Sequence, residues 1–149
     1  MTEHDVETVR LEIKFLTANA QLPYRKLTTD AGYDLYSIED VELPPGRSTL
    51  VHTGVQIAAP PGYYYTIEGR SSLWMIGIEP SRGIIDATYT GEVVVSLINT
   101  SDSPYTVKSG DRIAQIILHK QIHAEFDIVS EFSPWYNQRG NNGFGSTGK

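Results

Sequence analysis

Apolar and polar residues alternate in short segments along most of the chain. Leu11 to Phe15 alternates apolar with charged residues, the period-two pattern of a half-buried strand. Comparable strand-like segments lie at 48–58, 63–67, 92–98, 112–118 and 123–129. No segment keeps a helical period, and Gly or Pro separates the strands roughly every ten residues, so the pattern predicts an all-β sandwich or barrel. Trp74 to Ile78 is read as a short helical turn or a loop.

Turn residues support this division of the chain. Proline presets φ and glycine permits the reversal, so Pro44-Pro45-Gly46 and Pro60-Pro61-Gly62 each predict a tight turn. Gly54 lies inside a strand-like segment, where glycine indicates a bulge or a kink.

One predicted strand is apolar on both faces. Val93, Val95 and Leu97 share one face, and Val94 and Ile98 share the other. A sheet of this size rarely buries both faces within one subunit, so the pattern predicts an oligomer.

Composition narrows the possible functions of the chain. A chain of 149 residues forms one domain of ordinary size, and the lack of cysteine excludes disulfides and thiolate metal sites. A net charge of -6 argues against a general nucleic-acid binder but leaves room for an anionic small ligand held by local arginines. With no apolar run of membrane-spanning length and no targeting signal, a soluble cytoplasmic or other intracellular protein is expected, with no membrane partner.

A single carboxylate stands out between Gly83 and Gly91. Asp86 follows the apolar Ile84-Ile85 and precedes Tyr89, and a strand-like run begins at Glu92. The segment predicts a hairpin. Either this hairpin forms a pocket, with Asp86 as a base and Tyr89 packed on a flat ligand, or it is a surface hairpin whose Asp is incidental.

Two further segments carry groups suited to phosphate. Gly69-Arg70-Ser71-Ser72 ends a strand with a guanidinium and two hydroxyls, which can bind a phosphate or form an exposed turn. Gln115 lies among apolar neighbours, so its amide needs a partner, either the backbone or a ligand.

The end of the chain is rich in glycine. Residues 139–148 contain four glycines together with Arg139, Phe144, Ser146 and Thr147. Such an arm can close over a polyphosphate, with the hydroxyls and N–H groups on oxygens and the ring on a base. The alternative is a disordered tail, although a solvating tail has little use for a phenyl ring.

Five of these segments occur in one order: residues 31–37, 69–73, 83–91, 110–115 and 139–148. In that order and at these distances they resemble the five motifs of the trimeric dUTPases, and the resemblance covers nearly the whole chain from Leu11. It implies a β jelly roll that assembles as a homotrimer with shared active sites. The division implied is a catalytic domain at 1–136 and a flexible arm at 137–149.

The resemblance also implies a reaction. Members of the family hydrolyse dUTP to dUMP and pyrophosphate with Mg²⁺, which keeps uracil out of DNA. By position, Asp86 is the base that activates water against the α-phosphate, and Asp34 lies near the metal through water. The implied substrate-binding residues are Arg70, Ser71, Ser72, Ile85, Tyr89, Gln115, Arg139, Phe144, Gly145, Ser146 and Thr147.

Some features depart from the family pattern. Thr90 replaces a longer polar residue, Trp74 is bulkier than the usual residue there, and the connection from Arg70 to Asp86 is slightly short. Two alternatives stay open: a dCTP deaminase-like enzyme of related fold, and a non-catalytic jelly-roll binding module. The sequence does not decide whether a protein partner exists.

Overall fold

The computed structural model of the chain describes residues 6–143. Within them the chain folds mainly into strands. These are β1 (Glu12–Phe15), β2 (Tyr33–Tyr36), β3 (Val41–Leu43), β4 (Ser48–Ala58), β5 (Tyr63–Glu68), β6 (Ile78–Pro80), β7 (Gly83–Ile85), β8 (Glu92–Asn99), β9 (Tyr105–Val107) and β10 (Arg112–Lys120). A single helical turn, α1 (Ser71–Trp74), follows β5, and a 3-10 helix spans Pro134–Gln138.

The strands form two four-stranded antiparallel sheets. Sheet A has the order β1-β4-β8-β6, sheet B has the order β2-β10-β5-β7, and β3 pairs separately with β9. Consecutive strands often lie in different sheets, so the chain crosses between layers repeatedly. The predicted all-β jelly roll is confirmed.

The core lies between the two sheets. In sheet A, Val93, Val95 and Leu97 of β8 are fully buried, and in sheet B, Tyr65 and Ile116 are buried opposite them in the same apolar cluster. The Tyr65 hydroxyl donates to the carbonyl of Ile57 at 2.8 Å, so the deepest ring keeps its polar atom satisfied. Burial raises the pKa of the Tyr65 phenol above its ordinary value.

The predicted turns are confirmed. Gly46 and Gly62 both adopt positive φ at the Pro-Pro-Gly corners, and Gly54 does so where the register between β4 and β8 shifts. A Cβ on Gly54 would lie 2.8 Å from the Thr17 hydroxyl, so the bulge is also tightly packed. The predicted helical turn begins three residues earlier than expected, at Ser71.

Two local predictions are wrong. The hairpin expected around Asp86 is not formed, because β7 pairs with β5 in sheet B and β8 pairs with β4 and β6 in sheet A. The segment between them is instead a crossover from one sheet to the other. Residues 123–129, predicted as a strand, have no assigned secondary structure and are exposed, because both edges of β10 are already occupied by β2 and β5.

The chain beyond β10 lies away from the core. Residues 121–143 are exposed almost throughout, including the apolar side chains of Ile122 (88%), Phe126 (94%) and Ile128 (100%). We call residues 121–143 the C-terminal segment. Of the helices that the described residues form, none has the length and apolar character needed to span a bilayer.

Candidate active site

Three strands of sheet B bring polar residues into one row. Asp34 of β2 lies opposite Gln115 of β10, and Gln115 lies opposite Glu68 of β5. The backbone of Asp34 is also fixed on its other side, because it exchanges two hydrogen bonds with Tyr24 at 3.1 and 2.7 Å. The carboxylate of Asp34 therefore projects from a backbone held on both edges.

Two arginines share that carboxylate. Arg70 Nε donates to Asp34 Oδ1 at 3.2 Å, and Arg112 Nη1 donates to Asp34 Oδ2 at 3.4 Å. Arg70 Nη1 also donates to the carbonyl of Arg112 at 3.3 Å and to the Ser72 hydroxyl at 3.4 Å. The side chains of Asp34 and Arg70 are each about one-fifth exposed, so the pair is shielded yet open to a ligand.

Gln115 fixes the turn that carries Arg70. Its Nε2 donates to the carbonyl of Gly69 at 2.7 Å. Of the two partners considered for this amide, the backbone therefore binds one N–H within one subunit. A Cβ on Gly32 would lie 2.2 Å from Gln115 Oε1, which explains why glycine is needed beside the amide. The second N–H and the carbonyl oxygen of Gln115 remain available to a ligand.

The hydroxyls predicted to bind phosphate lie at the start of α1. Arg70 is the N-cap residue in an extended conformation, and Ser71 and Ser72 are exposed on the turn that follows. Trp74, noted as unusually bulky, is 64% exposed at the end of the same turn. The Trp74 side chain therefore points to solvent in the single subunit and does not pack in the core.

Asp86 begins a tight turn at the end of β7. Tyr89 N donates to the carbonyl of Asp86 at 3.2 Å, and Thr88 N donates to the carbonyl of Ala59 at 3.0 Å. Thr88 has φ of 68°, a conformation that costs energy for a β-branched residue. The carboxylate of Asp86 and the ring of Tyr89 are both exposed, the latter to 45%.

The far end of this turn is bound to β8. The Tyr89 hydroxyl donates to the carbonyl of Glu92 at 3.1 Å, and a Cβ on Gly91 would lie 2.2 Å from that hydroxyl. The Glu92 carboxylate accepts from Gly54 N at 2.9 Å and lies 3.0 Å from His52 Nδ1. Hydrogen bonding to Glu92 raises the pKa of His52 above its ordinary value.

We call Asp34, Arg70 and Arg112 the arginine cluster. Asp86 and the arginine cluster lie at opposite ends of β5. Ile85, the residue before Asp86, pairs with Tyr65, while Arg70 is the fifth residue after Tyr65, about 16 Å further along an extended chain. Ile85 itself is half-buried at the Asp86 end of the strand. A single subunit thus separates the proposed base from the proposed phosphate-binding group.

Of the predicted arm residues, Arg139 lies within residues 6–143, and its hydrogen bond there is local. Arg139 donates from Nε to the carbonyl of Asn142 within the C-terminal segment. Phe144, Gly145, Ser146 and Thr147 lie outside the described residues, and their predicted roles stay predictions.

The described residues do not form a metal centre by themselves. No group of three or more His, Asp or Glu side chains able to hold an ion occurs within residues 6–143. Asp34 uses both oxygens toward arginines, but each oxygen keeps a lone pair that can reach an ion through water. The site therefore fits Mg²⁺ carried by substrate phosphates, and does not fit an ion held by the protein alone.

Comparison with known proteins identifies the family. The dUTPase family model matches residues 18–148. The deoxyuridine 5'-triphosphate nucleotidohydrolase of Ehrlichia canis is 40% identical over 91% of this chain and 92% of its own length. The Solanum lycopersicum protein of that name is 43% identical over 91% and 80%, and that of Paramecium bursaria Chlorella virus 1 is 41% identical over 93% and 97%. The chain belongs to the dUTPase family.

Solved dUTPase structures share the fold. A mutant dUTPase of Staphylococcus bacteriophage 80alpha with dUpNHpp superposes with a TM-score of 0.87 at 29% identity, covering 95% of this chain and all of that chain. A mutant dUTPase from phage phi11 of S. aureus, described with a structural Mg(II) ion, gives a TM-score of 0.76 at 27% identity over 83% and 98%. The prediction of a dUTPase-type nucleotide pyrophosphohydrolase is confirmed by this membership.

Sequence reasoning missed two residues that contact predicted site residues, Arg112 at Asp34 and Glu92 at Tyr89. Arg112 lies inside the segment 110–115 that carries the resemblance, yet only Gln115 was assigned a role there. Glu92 follows the Asp86 turn directly and was read as the start of a strand. In both cases the missing signal was a contact between strands distant in sequence.

Proposed function

We propose that this protein hydrolyses dUTP to dUMP and pyrophosphate, which limits uracil in DNA and supplies dUMP inside the cell. The supporting observation is that a chain of the dUTPase family carries an exposed carboxylate on a tight turn at one end of β5 and an arginine cluster at the other. Base catalysis and polyphosphate binding need these two kinds of group.

Asp86 is the proposed base. An aspartate is ordinarily ionised at neutral pH, so it can orient a water molecule and accept its proton as that water attacks the α-phosphorus. The turn from Asp86 to Tyr89 fixes the carboxylate because its backbone is bonded both internally and to Ala59. Most of the rate enhancement then comes from positioning the water in line.

The turn and the strand before it are the proposed nucleoside site. The Tyr89 ring packs under the deoxyribose, where it disfavours a 2'-hydroxyl, and the backbone near Ile85 reads the uracil edge. Cytosine exchanges a donor for an acceptor on that edge, so it would leave buried backbone groups unpaired. The bond from Tyr89 to Glu92 holds the ring against the turn.

The arginine cluster is the proposed phosphate site. Arg70 and the hydroxyls of Ser71 and Ser72 bind phosphate oxygens, and the free N–H of Gln115 reaches the α-phosphate. A protein of charge -6 repels a polyphosphate overall, so these groups must supply a local positive field. Asp34 would hold Mg²⁺ through water, and the ion would supply positive charge that stabilises the phosphates.

Assembly as a homotrimer completes the proposed site. Val94 and Ile98 are only half-buried on the outward face of β8, beside the exposed Leu50 of β4, which gives sheet A an apolar surface for another copy. The exposed apolar side chains of the C-terminal segment also suit burial against a neighbour. Asp86 of one copy then faces Arg70 of another.

The arm at 137–149 closes over the ligand in this proposal. Phe144 stacks on the uracil, while Arg139, Gly145, Ser146 and Thr147 bind the phosphates. The catalytic domain at 1–136 provides the remaining contacts.

A nucleotide screen tests the proposed function. Each dNTP is incubated with the protein, with and without Mg²⁺, and pyrophosphate and ammonia are measured. Release of pyrophosphate from dUTP alone, strongly dependent on Mg²⁺, is expected. Ammonia from dCTP would instead identify a deaminase, and lack of turnover of every nucleotide would refute the proposal.

A further inference from the structure

Arg112 takes part in the arginine cluster without a role in the proposed reaction. It begins β10, and its side chain is nearly half exposed, with Nη1 on Asp34 Oδ2 at 3.4 Å. Its carbonyl accepts the Nη1 N–H of Arg70 at 3.3 Å. Arg112 thus contacts both partners of the Asp34–Arg70 ion pair.

These contacts leave one part of Arg70 for a ligand. Nε is used by Asp34, and Nη1 is used by Ser72 and the Arg112 carbonyl. Within residues 6–143, the hydrogen bonds of the guanidinium come from these two nitrogens, so the two N–H groups of Nη2 are free to donate to a ligand.

Nη2 of Arg70 stays free because Arg70 and Arg112 each bind one oxygen of the Asp34 carboxylate. Arginine prefers to bind a carboxylate with two parallel N–H groups, one to each oxygen. If Oδ2 were free, Arg70 could rotate to take both oxygens and would then use a terminal N–H on Asp34. Arg112 takes one lone pair of Oδ2 and lies on that side of the carboxylate, so its contact keeps Arg70 on Oδ1, while the other lone pair of Oδ2 stays open to water.

We propose that Arg112 is a positioning residue for phosphate binding, which acts through Asp34 to fix the direction of the Arg70 guanidinium. This inference rests on the proposed function, because it concerns the phosphates of the same substrate. Arg112 itself does not touch the ligand in this arrangement. Its effect should therefore exist only while Arg70 is present.

The first test compares two probes. Binding of a non-hydrolysable imido analogue of dUTP measures contacts to both the nucleoside and the phosphates. Binding of deoxyuridine measures contacts to the nucleoside alone. Arg112→Gln should weaken the analogue about tenfold, the scale of one hydrogen bond to a charged group, and leave deoxyuridine unchanged. Lys120→Gln is the matched control, because Lys120 ends the same strand in an exposed ion pair with Glu7 at 2.9 Å. It should bind both probes like the wild type.

The second test is a double-mutant cycle with Arg70→Gln. If Arg112 acts through Arg70, the double variant binds the analogue no more weakly than Arg70→Gln alone. Arg112→Lys, which keeps the charge and a donor for Oδ2, should recover most of the affinity. If Arg112→Gln does not melt cooperatively, Arg112→Met, which keeps the aliphatic stem, replaces it in the cycle.

The outcomes separate this inference from the proposed function. Additive losses in the cycle would show that Arg112 binds phosphate independently and would overturn the positioning role, as would an Arg112→Gln variant that binds the analogue normally. If the wild-type protein binds neither probe, the proposed function fails and the inference falls with it.

Discussion

Asp86 and Arg70 lie at opposite ends of strand β5. Ile85, which precedes Asp86, pairs with Tyr65 near the start of β5, and Arg70 follows its last residue by two positions. The proposed base and the proposed phosphate-binding arginine lie beside opposite ends of this strand, so they serve a single substrate most directly when two copies of the chain meet. Each copy then contributes one end of its β5 to each of two sites.

Mixing two inactive variants should restore activity. Asp86→Asn removes the base and Arg70→Gln removes the phosphate ligand, so each homotrimer should be inactive. In a random 1:1 mixture, about a quarter of all sites, which is one site in each mixed trimer, would combine an intact Asp86 from one copy with an intact Arg70 from another. Turnover of dUTP by the co-refolded mixture measures this.

The control is each variant refolded alone and combined without denaturation. Activity in that control would show that native trimers exchange subunits quickly. A co-refolded mixture that stays inactive, although sedimentation shows mixed trimers, would contradict a site shared between copies.

Asp86→Asn alone should abolish turnover while nucleotide binding is retained. The amide keeps the shape of the side chain but cannot accept a proton, so we expect a loss of about 10²–10⁴-fold in kcat. Pyrophosphate release and binding of the imido analogue are measured together. Asp102→Asn, an exposed aspartate between β8 and β9, is the matched control. Near wild-type turnover in Asp86→Asn would exclude this residue as the base.

Removing Arg139 onward should leave a folded trimer with severely reduced activity. The strands and core lie before this point, and the residues around Arg139 are exposed, so the truncation removes little packing. Loss of the proposed closure exposes the reaction to water. Sedimentation and pyrophosphate release test both parts, and a monomeric or aggregated product would contradict the prediction.

Much of the fold could be predicted because core strands carry their own pattern. Ser48–Ala58 was predicted with its exact bounds, and Gly54 was correctly placed at a bulge. The alternation pattern does not show whether a segment has a partner strand with which to pair. Residues 123–129 alternate like a strand, but alternation predicts only which face is apolar, and a strand forms only where an unpaired sheet edge is available.

The site was predictable as a set of residues but not as an arrangement. Asp34, Arg70 and Gln115 were named from the sequence, and the structure places them together through the pairing of β2, β10 and β5. That pairing joins residues about eighty positions apart, so no local signal shows that Arg112 shares Asp34. Asp86 was likewise named, while its separation from Arg70 within one subunit depends on the register of β7.

The His52–Glu92 pair should make stability depend on pH. Because the folded pKa of His52 is raised, the pair stabilises the fold fully below the ordinary value of 6.5, and this contribution is lost as pH rises through the folded pKa. We expect about 0.2–1 kcal/mol, since the His52 side chain is about half exposed and solvent screens the pair. Melting temperatures of wild type and His52→Gln should differ at pH 5.5 and converge at about pH 8.5. A difference that persists at high pH would indicate a packing effect.

Thr88→Asn should stabilise the protein. Thr88 holds a positive φ that a β-branched residue tolerates poorly, and asparagine adopts this conformation at lower cost. Relief of about 1 kcal/mol should raise the melting temperature by a few degrees. Thr90→Asn, in the same turn but without positive φ, is the control and should change little. An equal shift in both variants would assign the effect to the side chain and not to the backbone.

The exposed apolar side chains of the C-terminal segment bear on biosynthesis. In the proposed trimer another copy covers Ile122, Phe126 and Ile128, so a newly translated chain exposes these side chains to water until it assembles. Sparse expression should therefore leave nascent copies dependent on chaperones for longer, whereas abundant expression shortens that interval by mass action. Formation of the assembled enzyme would therefore depend on its expression level as well as on the folding of each chain.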